Sequence, residues 1–159
     1  DVLAATPLLR ADGTTVEAAS LAGALVCFYF SAHWCPPCQA FTPTLKDFYE
    51  TVNGDKQPKK LEIVFVSSDE NEDSCMQYMK SAHGDWLALP FASPMRSELK
   101  RKYGVCAGKE QTEVGVEPRK SGIPGLVVVR GDGSVVEFNG CDQVTEFGPP
   151  VVKRWIAKV

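Results

Sequence analysis

The sequence has no long apolar run. Its longest unbroken stretch of apolar or glycine residues, Leu21 to Phe30, is ten long, well short of the roughly 18 needed to cross a bilayer. No membrane partner is expected. Excess positive charge is also missing: 17 Lys and Arg face 20 Asp and Glu, a net charge of −3, and the basic residues are scattered. Without a basic stripe to meet phosphates, nucleic acid is not an expected partner. Cysteine is sparse, since six in 159 lies below the roughly 8–10% of a disulfide scaffold. Each thiol therefore needs its own explanation. The chain begins at Asp1, and no basic segment followed by an apolar one precedes its first turn. Together with unpatterned thiols this gives the expectation of a reducing, cytoplasmic compartment. A length of 159 residues suits one core, so one monomeric domain over 1–159 is expected.

What is present is an alternation of strands and helices. Leu8 to Arg10 and Thr14 to Val16 flank Asp12-Gly13 and read as a hairpin. Ala24 to Phe30 is a continuous apolar run of the kind buried on both faces of a sheet. From Pro36, the residues Phe41, Leu45, Phe48 and Val52 recur at helical spacing until Asn53-Gly54, with Pro43 inside the pattern as an expected bend. Leu61 to Ser67 reads as a second buried strand. A helix from Asp69–Glu72 to about Ala82 follows, with carboxylates in its first turn. Ser93-Pro94 opens a short helix to Tyr103. Leu126 to Val129 and Val135 to Phe138 form a terminal hairpin, and a last helix covers Val151 to Ala157. This order predicts an α/β fold, a mixed sheet with helices on both faces.

The chemistry concentrates where the central strand hands over to the first long helix, at Trp34-Cys35-Pro36-Pro37-Cys38. A cysteine at a helix N-terminus faces unpaired backbone donors and the positive end of the helix dipole, which favour its thiolate. Cys35 holds that place. Neither following proline has an N–H, so Cys38 supplies the first free donor of the turn, aimed at the Cys35 sulfur. An outer thiol and a shielded inner one suit two-step exchange: Cys35 attacks a disulfide and Cys38 resolves the mixed disulfide. A zinc site needs a second ligand pair, and His33, Cys75, His83, Cys106 and Cys141 are singletons. No metal is expected. Haem attachment needs His after Cys38, where Gln39 stands. A structural bridge across three residues would restrict almost no chain entropy.

The segment Phe28 to Cys38 with Phe41-Thr42-Pro43 resembles the tryparedoxin and nucleoredoxin branch of the thioredoxin superfamily. Val64 to Glu70, Trp86 to Phe91, Lys102 to Val105 and Gly122-Ile123-Pro124 resemble further family segments in the same order, so the likeness runs from about Leu8 to Phe138. It implies a thioredoxin fold, with an N-terminal hairpin, and a dithiol oxidoreductase acting on protein disulfides. In tryparedoxins proper the reductant is the small dithiol trypanothione, and the acceptors include peroxiredoxin-type peroxidases. No bound cofactor is implied beyond a redox-active Cys35–Cys38 disulfide. A nucleoredoxin-like module, whose redox pair regulates binding to a partner protein, is the alternative.

By the same resemblance Pro124 is the family's cis-proline, which leaves the Ile123 backbone to pair with substrate, and Trp34 is the active-site tryptophan that contacts partners. Tyr29 takes the place where thioredoxins keep a buried acid, and a phenol with an ordinary pKa near 10 cannot act as that acid at neutral pH. Proton handling is therefore assigned to Asp69 and Glu70, which equally suit the start of the next helix. The sequence departs from the pattern in an insertion, Cys106 to Lys120, ahead of the cis-proline. It either borders the substrate groove or is a disordered, neutral segment. Gly125 stands where threonine is usual. Cys27 reads as a core residue, Cys75 as helical, and Cys106 and Cys141 as loop cysteines; His33 adds thiolate character to its neighbours only if charged.

Overall fold

A computed structural model describes residues 2–3 and 6–159. Among the described residues seven strands, numbered in chain order, form one sheet in the order β2-β1-β5-β4-β3-β6-β7. At its centre β3 (Leu25–Ser31) runs parallel to β4 (Leu61–Ser67) and antiparallel to β6 (Gly125–Val129). The hairpin of β1 (Pro7–Leu9) and β2 (Thr15–Glu17) joins through β5 (Leu87–Ala88), while β7 (Val135–Glu137) closes the other edge. The sheet is mixed, as its apolar runs predict.

Side chains alternate across that sheet. Cys27 and Tyr29 of β3, Ile63 and Phe65 of β4, and Leu126 and Val128 of β6 share one core. It is covered by α1 (Pro36–Asn53), α2 (Glu72–Ala82), α5 (Gly140–Phe147) and α6 (Val151–Ala157). Phe28, Phe30, Val64, Val66, Val127 and Val129 face the other way, against Leu99 and Tyr103 of α3 (Met95–Tyr103). Helices thus lie on both faces. None of them, among the described residues, is long and apolar enough to cross a membrane.

The strong sequence signals hold. Helix α1 starts at Pro36, runs on through Pro43, and ends where Gly54 adopts φ +54°. Two expectations change. Helix α2 begins at Glu72 because the Asn71 side chain accepts from Ser74 N at 2.8 Å, so Asp69 and Glu70 lie in the loop before it. Cys141 belongs to helix α5, not to a loop. Gly140 opens that helix, where a Cβ would run into the Leu126 carbonyl as the helix crosses β6.

The insertion 106–120 is folded, not disordered. A 3₁₀ turn at Gly108–Glu110 leads into the single-turn α4 (Gln111–Val114), and Cys106, Val114 and Val116 pack on one another. Its anchor is polar. Glu110 accepts from Lys100 Nζ at 2.8 Å and from Ala107 N at 2.7 Å, and also takes the Ser68 hydroxyl. Lys100, only 1% exposed, donates as well to Ser67 O at 2.9 Å. A buried ammonium needs such partners, and the insertion supplies its counter-ion.

Candidate active site

Strand β3 ends at Ser31, and four residues later Cys35 caps helix α1 in an extended conformation, φ −89° and ψ 112°. Pro36 and Pro37 fill the first helical positions without donors. Cys38 N therefore makes the first contact, 3.4 Å from the Cys35 sulfur. Both thiols are free; Cys35 is 5% exposed and Cys38 fully buried. Burial, with the hydrogen bond to Cys35, pushes the Cys38 thiol up to about 12, while a hydrogen bond from Ser31 pulls against that rise. The inner thiol is held as a thiol.

From the facing loop Ile123 O lies 3.9 Å from the Cys35 sulfur, and the Ile123–Pro124 peptide is cis. Ile123 and Trp34 pack over Ala32, Cys35 and Cys38. The Trp34 indole is half-buried and donates to Ser68 O at 3.0 Å. Lys109 of the insertion stands over its ring, 3.9 Å from the centroid. The insertion therefore borders the site.

The three groups considered for proton handling lie apart. Tyr29 is fully buried behind the pair, its hydroxyl 2.7 Å from Thr42 Oγ1, and burial holds the phenol protonated far above its ordinary value. Asp69 is buried but accepts from His33 N at 2.8 Å and Ser67 Oγ at 2.7 Å, with His33 Nε2 3.9 Å away. Glu70 is exposed and pairs with Lys109 at 3.5 Å, an ion pair of small worth in water. Among the described residues neither carboxylate hydrogen-bonds a cysteine sulfur.

The other thiols lie outside the pair. Cys27 is buried in the sheet and shifted up by burial, Cys75 is pushed up to about 11 for the same reason, and Cys106 is buried at the start of the insertion, against Val114 and Val116. No cluster of three or more His, Cys, Asp or Glu able to hold a metal occurs among the described residues. Sequence reasoning missed Lys109 and Glu110, whose only signal was charge in an unexpected segment, and Lys100, one of several charges on an expected helix. It also missed Ser31 and Tyr78, since neither type in isolation suggests thiol chemistry.

A thiol pair opening a helix, set against a cis-proline loop on a mixed sheet, defines a thioredoxin-type site. The sequence matches the family described as thioredoxin-like over residues 23–135, and the chain belongs to this family of oxidoreductases. Over 137 residues it is 40% identical to nucleoredoxin of Bos taurus, covering 86% of this chain and 27% of that protein. The chain thus spans about a quarter of the length of that relative. Thioredoxin of Wuchereria bancrofti superposes with a TM-score of 0.76 at 42% identity, over 100% of this chain and 99% of that one. Tryparedoxin of Trypanosoma brucei does so with 0.73 at 35% identity, over 97% of each chain.

Proposed function

We propose that this domain is a protein-disulfide reductase of tryparedoxin type. The observation that carries the reading is Cys35 at the start of α1, its sulfur against Cys38 N on one side and Ile123 O on the other. The Cys35 thiolate attacks one sulfur of a client disulfide, forming a mixed disulfide and releasing the other client sulfur as a thiolate. Cys38, once deprotonated, attacks the Cys35 sulfur; the second client thiolate leaves, and the client has gained two electrons. The Cys35–Cys38 disulfide is then reduced by a small dithiol such as trypanothione. No other cofactor is required. Ile123 and Trp34 form the rim on which a client, a peroxiredoxin-type peroxidase for example, rests.

Identity of 40% to a nucleoredoxin supports a second reading, a module whose redox pair governs binding to a partner protein. A turnover assay separates the two. Reduction of a peroxiredoxin-type peroxidase disulfide is expected with trypanothione, and more slowly with glutathione or a thioredoxin reductase system. No turnover with any reductant, together with full partner binding by the Cys35→Ser/Cys38→Ser double variant, would replace the reductase by the module.

A further inference from the structure

The insertion holds Trp34 from two directions. The Trp34 indole donates to Ser68 O at 3.0 Å, and the Ser68 hydroxyl is bonded to Glu110 of the insertion. Beside Glu110 in the same 3₁₀ turn is Lys109, whose ammonium stands 3.9 Å from the centroid of the Trp34 ring. Trp34, Ser68, Glu110 and Lys109 thus form a closed circuit, in which the ring is held at its edge and covered on one face. Trp34 packs in turn over Cys35 and Cys38. Because Glu110 also binds the buried Lys100, Lys109 projects from an anchored turn.

The other charges at this rim are already engaged. Asp69 is spent on His33 N and Ser67 Oγ, and Glu110 on Lys100. Arg119 turns inward at the far end of the insertion: it donates to Cys106 O at 3.0 Å, and its guanidinium packs so closely on Gly122 that a Cβ there would lie 2.9 Å from Nη1. Cations of the insertion therefore stand behind both walls of the Cys35 sulfur, the Trp34 wall and the Ile123 wall. Lys109 is the one left open. Its ammonium is 55% exposed and has three donors, with only Glu70 opposite at 3.5 Å. Glu70 is itself 68% exposed, and a pair so open to water is weak enough for an incoming carboxylate to displace.

We propose that Lys109 selects the client: its ammonium, stacked on Trp34, pairs with an acidic side chain flanking the disulfide that Cys35 attacks, exchanging Glu70 for the client carboxylate. The substrate class is a protein disulfide with Asp or Glu beside the attacked cysteine. Cys35 attacks as an anion and so repels a client acid, and a cation beside it offsets that repulsion. Stacking on the indole has already restricted the lysine, so less ordering remains to be done when the client arrives. The bonds made and broken by Cys35 and Cys38 are those of the reductase cycle; Lys109 adds only an ion pair.

This inference rests on the reductase reading. It is tested on the whole chain with three disulfide-bonded peptides, identical except for Asp, Asn or Lys beside each cysteine. Each kcat/KM is divided by the rate at which dithiothreitol reduces the same peptide, which removes the effect of the neighbouring charge on the cysteine itself. Wild type is expected to prefer Asp over Asn by about 3- to 5-fold and to disfavour Lys. In Lys109→Met, which keeps a hydrocarbon stem on the indole, the preference is expected to fall below about 1.5-fold. In Glu70→Gln, which removes the competing carboxylate, it is expected to rise. Lys109→Glu is expected to favour the Lys peptide, an inversion that a merely structural contact would not produce. The wild-type preference is expected to vanish near 1 M salt, where the Debye length is about 3 Å. Equal normalised rates for the three peptides with wild type, or an undiminished preference in Lys109→Met, would overturn the role of Lys109 alone. No reduction of any peptide by wild type, while dithiothreitol reduces all three, would overturn the reductase reading with it.

Discussion

Replacing Cys35 by serine is expected to abolish disulfide reduction, with turnover falling by roughly 10³-fold or more, as for other nucleophiles removed from a site. Serine keeps the shape of the helix cap and can still accept from Cys38 N, which lies 3.4 Å from the sulfur in the parent protein. The fold should therefore survive. What is lost is the sulfur that attacks as a thiolate and can share a bond with a client sulfur. The remaining thiols offer no substitute: Cys38 is fully buried and pushed up to about 12, and Cys75 to about 11. Steady-state reduction of a protein disulfide with an excess of small dithiol measures the effect. Turnover within 10-fold of the parent would move the chemistry to another cysteine.

The second large effect is on stability. Glu110→Ala removes the carboxylate that neutralises Lys100, a side chain only 1% exposed. Breaking a buried pair by deleting one partner costs about 3–5 kcal/mol; since Glu110 keeps 15% exposure, about 3 kcal/mol is expected. That corresponds to a fall in Tm of roughly 10 °C for a chain of this size. Replacing both partners, Lys100→Met with Glu110→Leu, should restore most of it. Burial opposes the Glu110 charge, but the Lys100 charge and the hydrogen bonds from Lys100, Ser68 and Ala107 outweigh it, leaving the carboxyl below its ordinary range. A folded-state value below the unfolded one gives stability that is complete above the ordinary carboxyl value and lost as pH falls through the depressed one. Thermal melts should therefore show the parent losing stability more steeply than Glu110→Gln below about pH 4.5. A loss under 1 kcal/mol in Glu110→Ala would show that the pair does not anchor the insertion.

Much of this architecture is legible in the residues themselves. Strand β3 is an unbroken apolar run up to Ser31, β4 is interrupted only by Glu62 before Ser67, and α1 carries its own punctuation, with two prolines at the start and Gly54 at the end. The Cys35–Cys38 pair shows itself by spacing and by its place between them. Pro124 needed the family likeness, because nothing local distinguishes a cis proline from a trans one. The relations that stayed hidden all lie between distant residues. Lys100 and Glu110 look like two surface charges until the chain turns back and buries one of them. Ser31 and Tyr78, 47 positions apart, meet only because β3 and α2 pack together. Asp69 and Glu70 suited proton handling by sequence position. Side-chain direction aims one at the His33 backbone and the other at Lys109.

The account depends most on Cys35 attacking and Cys38 resolving, and one trapping measurement addresses that division of roles. Cys38→Ser is incubated with an oxidised protein client, and the adduct is digested and read by mass spectrometry. The account predicts a stable mixed disulfide with one client cysteine joined to Cys35, and no release of the second client thiol. Absence of an adduct, or an adduct through Cys27, Cys75, Cys106 or Cys141, would contradict it.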